Sequence, residues 1–241
     1  MLSTTPTLMG GGGVILPNVS LCEDTKDVHY NPYVDPYAGH EYVEIGGLKW
    51  ATMNVGANSI TDTGLYFQWG DTQGYTASQV GSGEGQKYFG WADYKYGNGT
   101  SSPGARGMTK YNSTDGKTVL EVSDDAAQVN WGGSWRMPTE ADFNALLAAT
   151  TTAWTSNYEG SNVSGMVFTH KTDSSKKLFF PAAGGCNYGS VLRVGSLGLY
   201  WSSSLYTSDV IQGRYLSFNS GNCGMNGDAR CRGYSVRGVV G

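Results

Sequence analysis

Residues 124–146 read DDAAQVNWGGSWRMPTEADFNAL, and this stretch decides most of the fold. After WRMP, Thr139 is a good N-cap, Asp142 falls in the first turn, and Phe143, Leu146 and Leu147 recur at i, i+3 and i+4, so a helix is predicted there. A shorter helical turn is predicted over Asp124–Val129. The acidic pair Asp124-Asp125 stands at its start, where carboxylates are favoured by free N–H groups, and that capping role is preferred to a cation site.

Upstream, EYVEIGGLKWATMNVG (41–56) alternates apolar and polar side chains around Gly46-Gly47, as two short strands joined by a tight turn would, with Trp50 pointing inward. Between Tyr66 and Tyr111 the chain is rich in Gly, Ser, Tyr and Trp without sustained periodicity, which predicts a long loop region anchored by aromatic side chains. Downstream, GMVFTH, KKLFFPAAG, LYWSSS, RYLSFN and YSVRGVV read as short antiparallel strands bounded by Gly, Ser or Asn. A helix or two followed by a string of strands, without β-α alternation, predicts an α+β fold. Residues 1–40 mix a Gly run with Pro17, Pro32 and Pro36 and read as an arm or linker, which places the folded domain at 41–241.

Composition narrows the function classes. The net charge of -4 and pI near 5.3 provide no basic field for phosphate backbones, so no nucleic-acid partner is expected. No apolar run approaches the ~20 residues that span a bilayer, and the N-terminus lacks the basic region of a secretory signal, so no membrane insertion is expected. The three histidines, His29, His40 and His170, have no Ser or Cys setting that would make a catalytic triad. The four cysteines show no CxxC spacing and no nearby His, so no metal is expected. Gly10–Gly13 and GSGEGQK lack the context of a phosphate cradle, and the N-x-[ST] sites at Asn18, Asn98, Asn112 and Asn162 read as chance matches. No cofactor is implied.

One anomaly stands out. Residues 1–185 contain 9 Lys and 7 Glu, whereas 186–241 contain neither. At the earlier frequency about five would be expected, so chance gives this roughly one time in a hundred. The same segment has five Arg against two Asp and three of the four cysteines. It also carries Leu192, Val210 and Ile211 in stretches that read as exposed loops (GSVLRVGS, LYTSDVIQG), where apolar groups signal a contact surface. A strand-rich region disfavours Lys and Glu to some extent, but a binding face accounts for all of these features together, and Tyr, Ser, Gly, Asn and Arg suit such a face.

The segments EYVEIGGLKWATMNVGA, DDAAQVNWGGSWRMPTEADFNAL, FFPAAG, YWSSS, LSFNSG and RGYSVRGVV resemble the FISUMP (major paralogous domain) family, from about Glu41 to the C-terminus. The resemblance implies a C-type-lectin-like fold. Many members resemble variable proteins of diversity-generating retroelements, in which adenine-directed mutagenesis rewrites selected codons near the C-terminus. Codons AAC or AAT randomised at both adenines never give Lys, Glu, Gln, Met or Trp. The missing Lys and Glu and the stray cysteines fit this rule, while Trp201, Gln212 and Met225 fall to the framework with YWSSS, LSFNSG and SVR.

The resemblance places a variable region at about 186–234, with its face at Cys186, Asn187, Tyr188, Leu192, Arg193, Leu197, Leu205, Tyr206, Thr207, Asp209, Val210, Arg214, Asn222, Cys223, Asn226, Asp228, Ala229, Cys231 and Arg232. Those side chains are expected to project from a backbone fixed by framework aromatics and the Trp135/Arg136 region. Cys223 and Cys231 could pair, but free thiols are the preferred reading under randomisation. The implied function is non-enzymatic binding of a macromolecular ligand, a protein or surface glycan, by a protein displayed on a phage particle or bacterial surface. Two departures matter: the chain ends SVRGVVG where the family usually has SVR-P-V, and it lacks the Glu-Pro-Asn or Gln-Pro-Asp signature of calcium-dependent sugar binding. The alternatives are an oxidase like the formylglycine-generating enzymes, using Cys223 and Cys231 with copper, and a structural or assembly protein docked through residues 1–40.

Overall fold

The computed structural model describes residues 39–104 and 107–241. The arm expected over 1–40 lies outside the described residues except for its last two positions, and so do Cys22 and His29. Strands β1 (Tyr42–Ile45) and β2 (Leu48–Asn54) pair antiparallel, with Ile45 opposite Leu48. Gly46 and Gly47 turn the chain at φ 64° and 81°, a left-handed backbone that costs glycine nothing. Trp50 is fully buried.

The aromatic loop region follows, held by isolated bridges and short 3-10 turns at Ala77–Gln79 and Trp91–Asp93. Tyr66, Phe67, Trp69, Phe89, Tyr94 and Tyr111 anchor it by burial. A 3-10 turn at Val122–Asp124 leads into helix α1 (Ala126–Trp131). Asp125 caps α1, accepting from Gln128 N at 2.9 Å, and its two oxygens also accept from Met137 N at 3.0 and 2.8 Å. Asp124 does not cap. Lys95 at 3.1 Å, the Tyr111 hydroxyl at 2.6 Å and Lys110 all donate to it, so the loop region has captured this carboxylate as its hub.

Helix α2 (Glu140–Ala149) begins as the sequence predicts: Asp142 N donates to Thr139 Oγ1 at 3.1 Å and Thr139 N to Asp142 Oδ2 at 2.8 Å. This reciprocal cap satisfies two N–H groups that the helix cannot bond internally. Then come β3 (Thr150–Thr155), β4 (Gly165–His170) and β5 (Lys177–Pro181) in one sheet, and the short hairpin of β6 (Gly185–Asn187) and β7 (Ser190–Leu192). Strands β8 (Gly198–Leu205), β9 (Gln212–Phe218) and β10 (Cys223–Ala229) form a third sheet in the order β10-β9-β8. Finally β11 (Arg237–Val240) pairs with β2, so the last strand closes on the first hairpin. The fold is α+β, with few helices and small antiparallel sheets.

The β8-β9 pair is buried on both faces. Tyr200, Leu216 and Phe218 pack with Phe143 and Leu146 of α2 and with Phe168 and Phe180, while Leu199, Trp201 and Tyr215 pack with Phe67, Trp69, Tyr111 and Tyr234 on the other side. Full burial of one tryptophan such as Trp201 contributes about 4–6 kcal/mol before entropy is counted.

Hydrogen bonds tie the distant motif segments to one another. Trp201 N donates to Ser235 O at 3.0 Å, Ser203 N to Pro138 O at 2.8 Å, and Arg136 and Val239 exchange backbone bonds of 3.0 and 2.9 Å. Arg237, fully buried, donates to Asn54 Oδ1 at 2.9 Å, to Ala51 O at 2.9 Å, to Phe179 O at 3.1 Å and to Thr52 O, with its guanidinium over the Phe180 ring. Burial pushes its pKa down to about 10. WRMP, YWSSS and SVR thus form one connected scaffold.

Candidate functional site

Eleven of the nineteen residues expected on the face line two pockets on this scaffold. The first, of about 190 Å³, lies between the β6–β7 hairpin and residues 228–234, and is lined by Gly185, Cys186, Asn187, Leu192, Arg193, Leu197, Leu199, Asp228, Arg232 and Tyr234. Seven of these ten belong to the face expected from sequence. The hairpin is set by tight geometry: Gly184 sits at φ 65°, and a Cβ there would meet Leu192 O at 2.2 Å, so only glycine admits the approach. Tyr188 and Arg193 hold left-handed backbone at φ 47° and 63°, a region that few residues other than Gly and Asn adopt without strain.

The chemistry of this pocket is partly unsatisfied. Asp228 is engaged, accepting from Ala229 N at 2.6 Å and from the Tyr234 hydroxyl. Burial first, and Asp228 second, raise the Tyr234 pKa well above the phenolic range, so the hydroxyl stays a donor. The Arg232 guanidinium lies over the Tyr188 ring, 4.8 Å from its centroid, and Tyr188 leans on Tyr88 at 5.7 Å. Stacking holds the guanidinium in place, yet Arg232 Nη1 is closed off without a hydrogen-bond partner, and so is Asn187 Oδ1. Each such orphan costs about 1–3 kcal/mol. Seven large apolar side chains are exposed among the described residues: of these Leu192 lines this pocket, Tyr188 and Val194 lie on or next to its hairpin, and Tyr88 leans on Tyr188.

The second pocket, about 320 Å³, opens at the end of β8 and is lined by Thr118, Val119, Glu140, Ser204, Leu205, Tyr206, Thr207, Ser208 and Arg214. Here Arg214 is already paired with Glu140 at the start of α2 and lies 4.8 Å from the Tyr206 ring centroid. The hydrogen bond to Glu140 raises the Arg214 pKa further. No lining residue is shared between the two pockets.

Several expected face residues do not project. Cys186 and Cys231 are fully buried and Leu205 is 5 % exposed. Cys186 packs with Tyr66 and Phe89 where β6 meets Gly233, Cys231 with Tyr94 and Met108, and Leu205 with the core beneath β8. Val210, Ile211 and Ala229 are half-buried against the same aromatic loop region, which accounts for the apolar pair in LYTSDVIQG by packing rather than by contact with a partner. Cys223 is half-buried against the core under α2. Asp209 accepts from Gln212 Nε2 at 3.0 Å within its own turn. Thr207, Asn222 and Asn226 are exposed, Asn226 on the edge strand β10 and Asn222 just before it.

Cys186, Cys223 and Cys231 are unpaired. Cys223 opens β10 and Cys231 lies past its end, so six steps of extended strand, about 20 Å, keep the two thiols beyond disulfide reach. Burial pushes the Cys223 thiol up to about 11 and Cys231 up to about 12, and raises Cys186 as well. All three stay protonated at neutral pH and are poor nucleophiles. Among the described residues no group of three His, Cys, Asp or Glu side chains is placed to hold a metal ion, and no helix is long and apolar enough to cross a membrane.

Sequence reasoning missed Gly185, Leu199 and Tyr234 in the lining of the first pocket, and Tyr88 and Val194 beside its hairpin. Val194 carries the same signal as Leu192, an apolar residue in GSVLRVGS; nothing in the sequence connects Tyr88 to a hairpin a hundred residues away. Fold and site define an α+β domain with an aromatic-braced scaffold and a pocketed C-terminal segment. Compared with known proteins, the chain finds no matching family model, no matching curated protein and no matching solved structure.

Proposed function

We propose that this chain is a non-enzymatic binding protein of C-type-lectin-like fold, related to the FISUMP family, whose C-terminal segment is diversified by a retroelement to recognise a macromolecular ligand. The observation that carries the reading is the first pocket: seven of the ten residues around it come from the expected face, with an unsatisfied guanidinium and exposed tyrosine and leucine beside it. An apolar patch with a few convergent polar groups on a rigid scaffold is the usual form of a binding site. Asn, the residue encoded by AAC and AAT, is also the non-glycine residue best suited to the left-handed backbone at Tyr188 and Arg193.

The oxidase alternative is disfavoured by the strand separating Cys223 from Cys231 and by the raised pKa of both thiols. Display on a phage particle or bacterial surface, with a protein or glycan as partner, follows from the family resemblance. Sequencing the encoding locus in several isolates tests the proposal. Differences confined to template adenines of a nearby repeat, falling at Asn187, Tyr188, Leu192, Arg193 and Arg232 but never at Trp201 or Arg237, are expected. An invariant segment with no repeat would overturn it.

A further inference from the structure

We propose that the pocket between the β6–β7 hairpin and residues 228–234 receives the C-terminal residue of a partner protein, its carboxylate on the Arg232 and Arg193 guanidiniums, its peptide N–H on Asn187 and its aliphatic side chain on Leu192, Leu197 and Leu199. The inference rests on the binding reading above and names the chemistry that this site takes.

Charge comes first. Arg193 and Arg232 line the pocket against one acid, Asp228, whose oxygens are occupied by Ala229 N and the Tyr234 hydroxyl. Among the described residues neither guanidinium forms an ion pair, as those of Arg136 and Arg214 do, and neither donates to a backbone carbonyl, as those of Arg230 and Arg237 do. Arg232 is positioned by stacking on Tyr188; its Nη1 is closed off, and its Nε and Nη2 donors carry no hydrogen bond and remain for a ligand. A planar fork of donors matches the two oxygens of a carboxylate.

The remaining walls discriminate among anions. Three leucines and the nearby Asp228 disfavour a strongly hydrated dianion such as phosphate, which would be desolvated against apolar surface and repelled by the acid. Asn187 Oδ1 is closed off without a donor, and by turning its side-chain amide toward the pocket it would accept the peptide N–H that a chain terminus presents one residue-length from its carboxylate. At about 190 Å³ the pocket falls below the roughly 300–1,000 Å³ of drug-sized sites, so it takes one residue rather than a cofactor. Acceptor, cations and aliphatic wall together are the complement of a terminal Leu or Val.

The test is a titration of the isotope-labelled full chain with N-acetyl-leucine, followed by amide NMR shifts, beside N-acetyl-leucinamide, 4-methylpentanoate and inorganic phosphate. Shifts confined to residues 185–199 and 228–234, saturating with N-acetyl-leucine and at least tenfold weaker with each of the other three, are expected. Arg232→Met and Arg193→Met should each weaken N-acetyl-leucine at least tenfold while the rest of the spectrum stays unchanged, which separates lost binding from lost folding. Equal binding of the amide or of phosphate overturns the carboxylate assignment, equal binding of 4-methylpentanoate overturns the peptide terminus, and no binding of any probe overturns the proposal outright. Adenine-linked variation at the locus would then still stand, because that result bears on the binding face and not on the ligand in this pocket.

Discussion

Arg237 and Arg232 are five residues apart in the same Arg-rich segment, and the structure gives them opposite tasks. Replacing Arg237 by Met strips donors from Asn54 Oδ1 and from the carbonyls of Ala51, Thr52 and Phe179 while removing a buried charge that forms no ion pair among the described residues. Four deprived acceptors at about 1–1.5 kcal/mol each, less the relief of losing a buried cation, give a net loss of about 3–5 kcal/mol. That is a large share of the 5–15 kcal/mol that holds an ordinary domain together, and at about 2–4 °C per kcal/mol for a domain of this size it lowers Tm by roughly 6–20 °C. Arg232→Met removes no intramolecular hydrogen bond, and losing the guanidinium's contact with the Tyr188 ring offsets the relief of an orphaned Nη1, so net stability should change by less than about 1 kcal/mol. Thermal melts followed by tryptophan fluorescence, with urea titration for the free energies, decide the matter. Equal losses for the two variants, or an Arg237→Met loss below about 1 kcal/mol, would refute the division into framework and face.

Three further outcomes follow from the same geometry. Burial alone would raise the Asp124 pKa, but hydrogen bonds from Lys110, Tyr111, Tyr96 and Lys95 outweigh it and hold the carboxyl far below its ordinary range. Its contribution to stability is therefore present above the unfolded value near pH 4 and lost as pH falls through the folded value, so Asp124→Asn should cost about 2–4 kcal/mol at pH 7 and flatten the acid limb of the stability curve; an unchanged acid limb would contradict this. Arg193→Asn should stabilise the fold by about 0.5–1 kcal/mol by relieving left-handed backbone strain at φ 63°, measured by urea midpoint, and a destabilised variant would count against it. A disulfide-exchange reagent at pH 7 should label Cys223 slowly and Cys186 and Cys231 only on unfolding; rapid labelling of Cys231 in the native protein would contradict its burial.

Much of the scaffold was legible because it rests on local rules. Gly46-Gly47 marks the first turn, Thr139 and Asp142 mark the start of α2, and VFTH, LFF, YWSSS and YLSF carry enough β-branched and aromatic side chains to announce strands. What escaped has a physical reason in each case. Strand β3, TTTAWT, leaves the helix with no breaker between them and is largely exposed, so neither punctuation nor alternation betrays it. Strand β10, CGMNGDA, has poor strand propensity and exists because β9 offers a seven-residue ladder, from Cys223 opposite Phe218 to Ala229 opposite Gln212. The β6–β7 hairpin has only three residues a side. At the site, a composition without Lys and Glu located the segment but could not tell inside from outside. That is why Leu192 and Arg193 project while Cys186 and Cys231, drawn from the same alphabet, pack against loops distant in sequence.

The central claim is that the C-terminal segment is a tolerant binding face on a fixed scaffold. It is tested most directly by randomising Asn187, Tyr188, Leu192, Arg193, Leu197 and Arg232 together with AAC-type codons, displaying the library, and counting protease-resistant clones before and after selection on a protein target. The account predicts that most clones stay folded and that target-specific binders emerge, whereas the same codons at Trp201, Ser203 and Arg237 leave almost no folded clones. Comparable loss of folding in both libraries would contradict it.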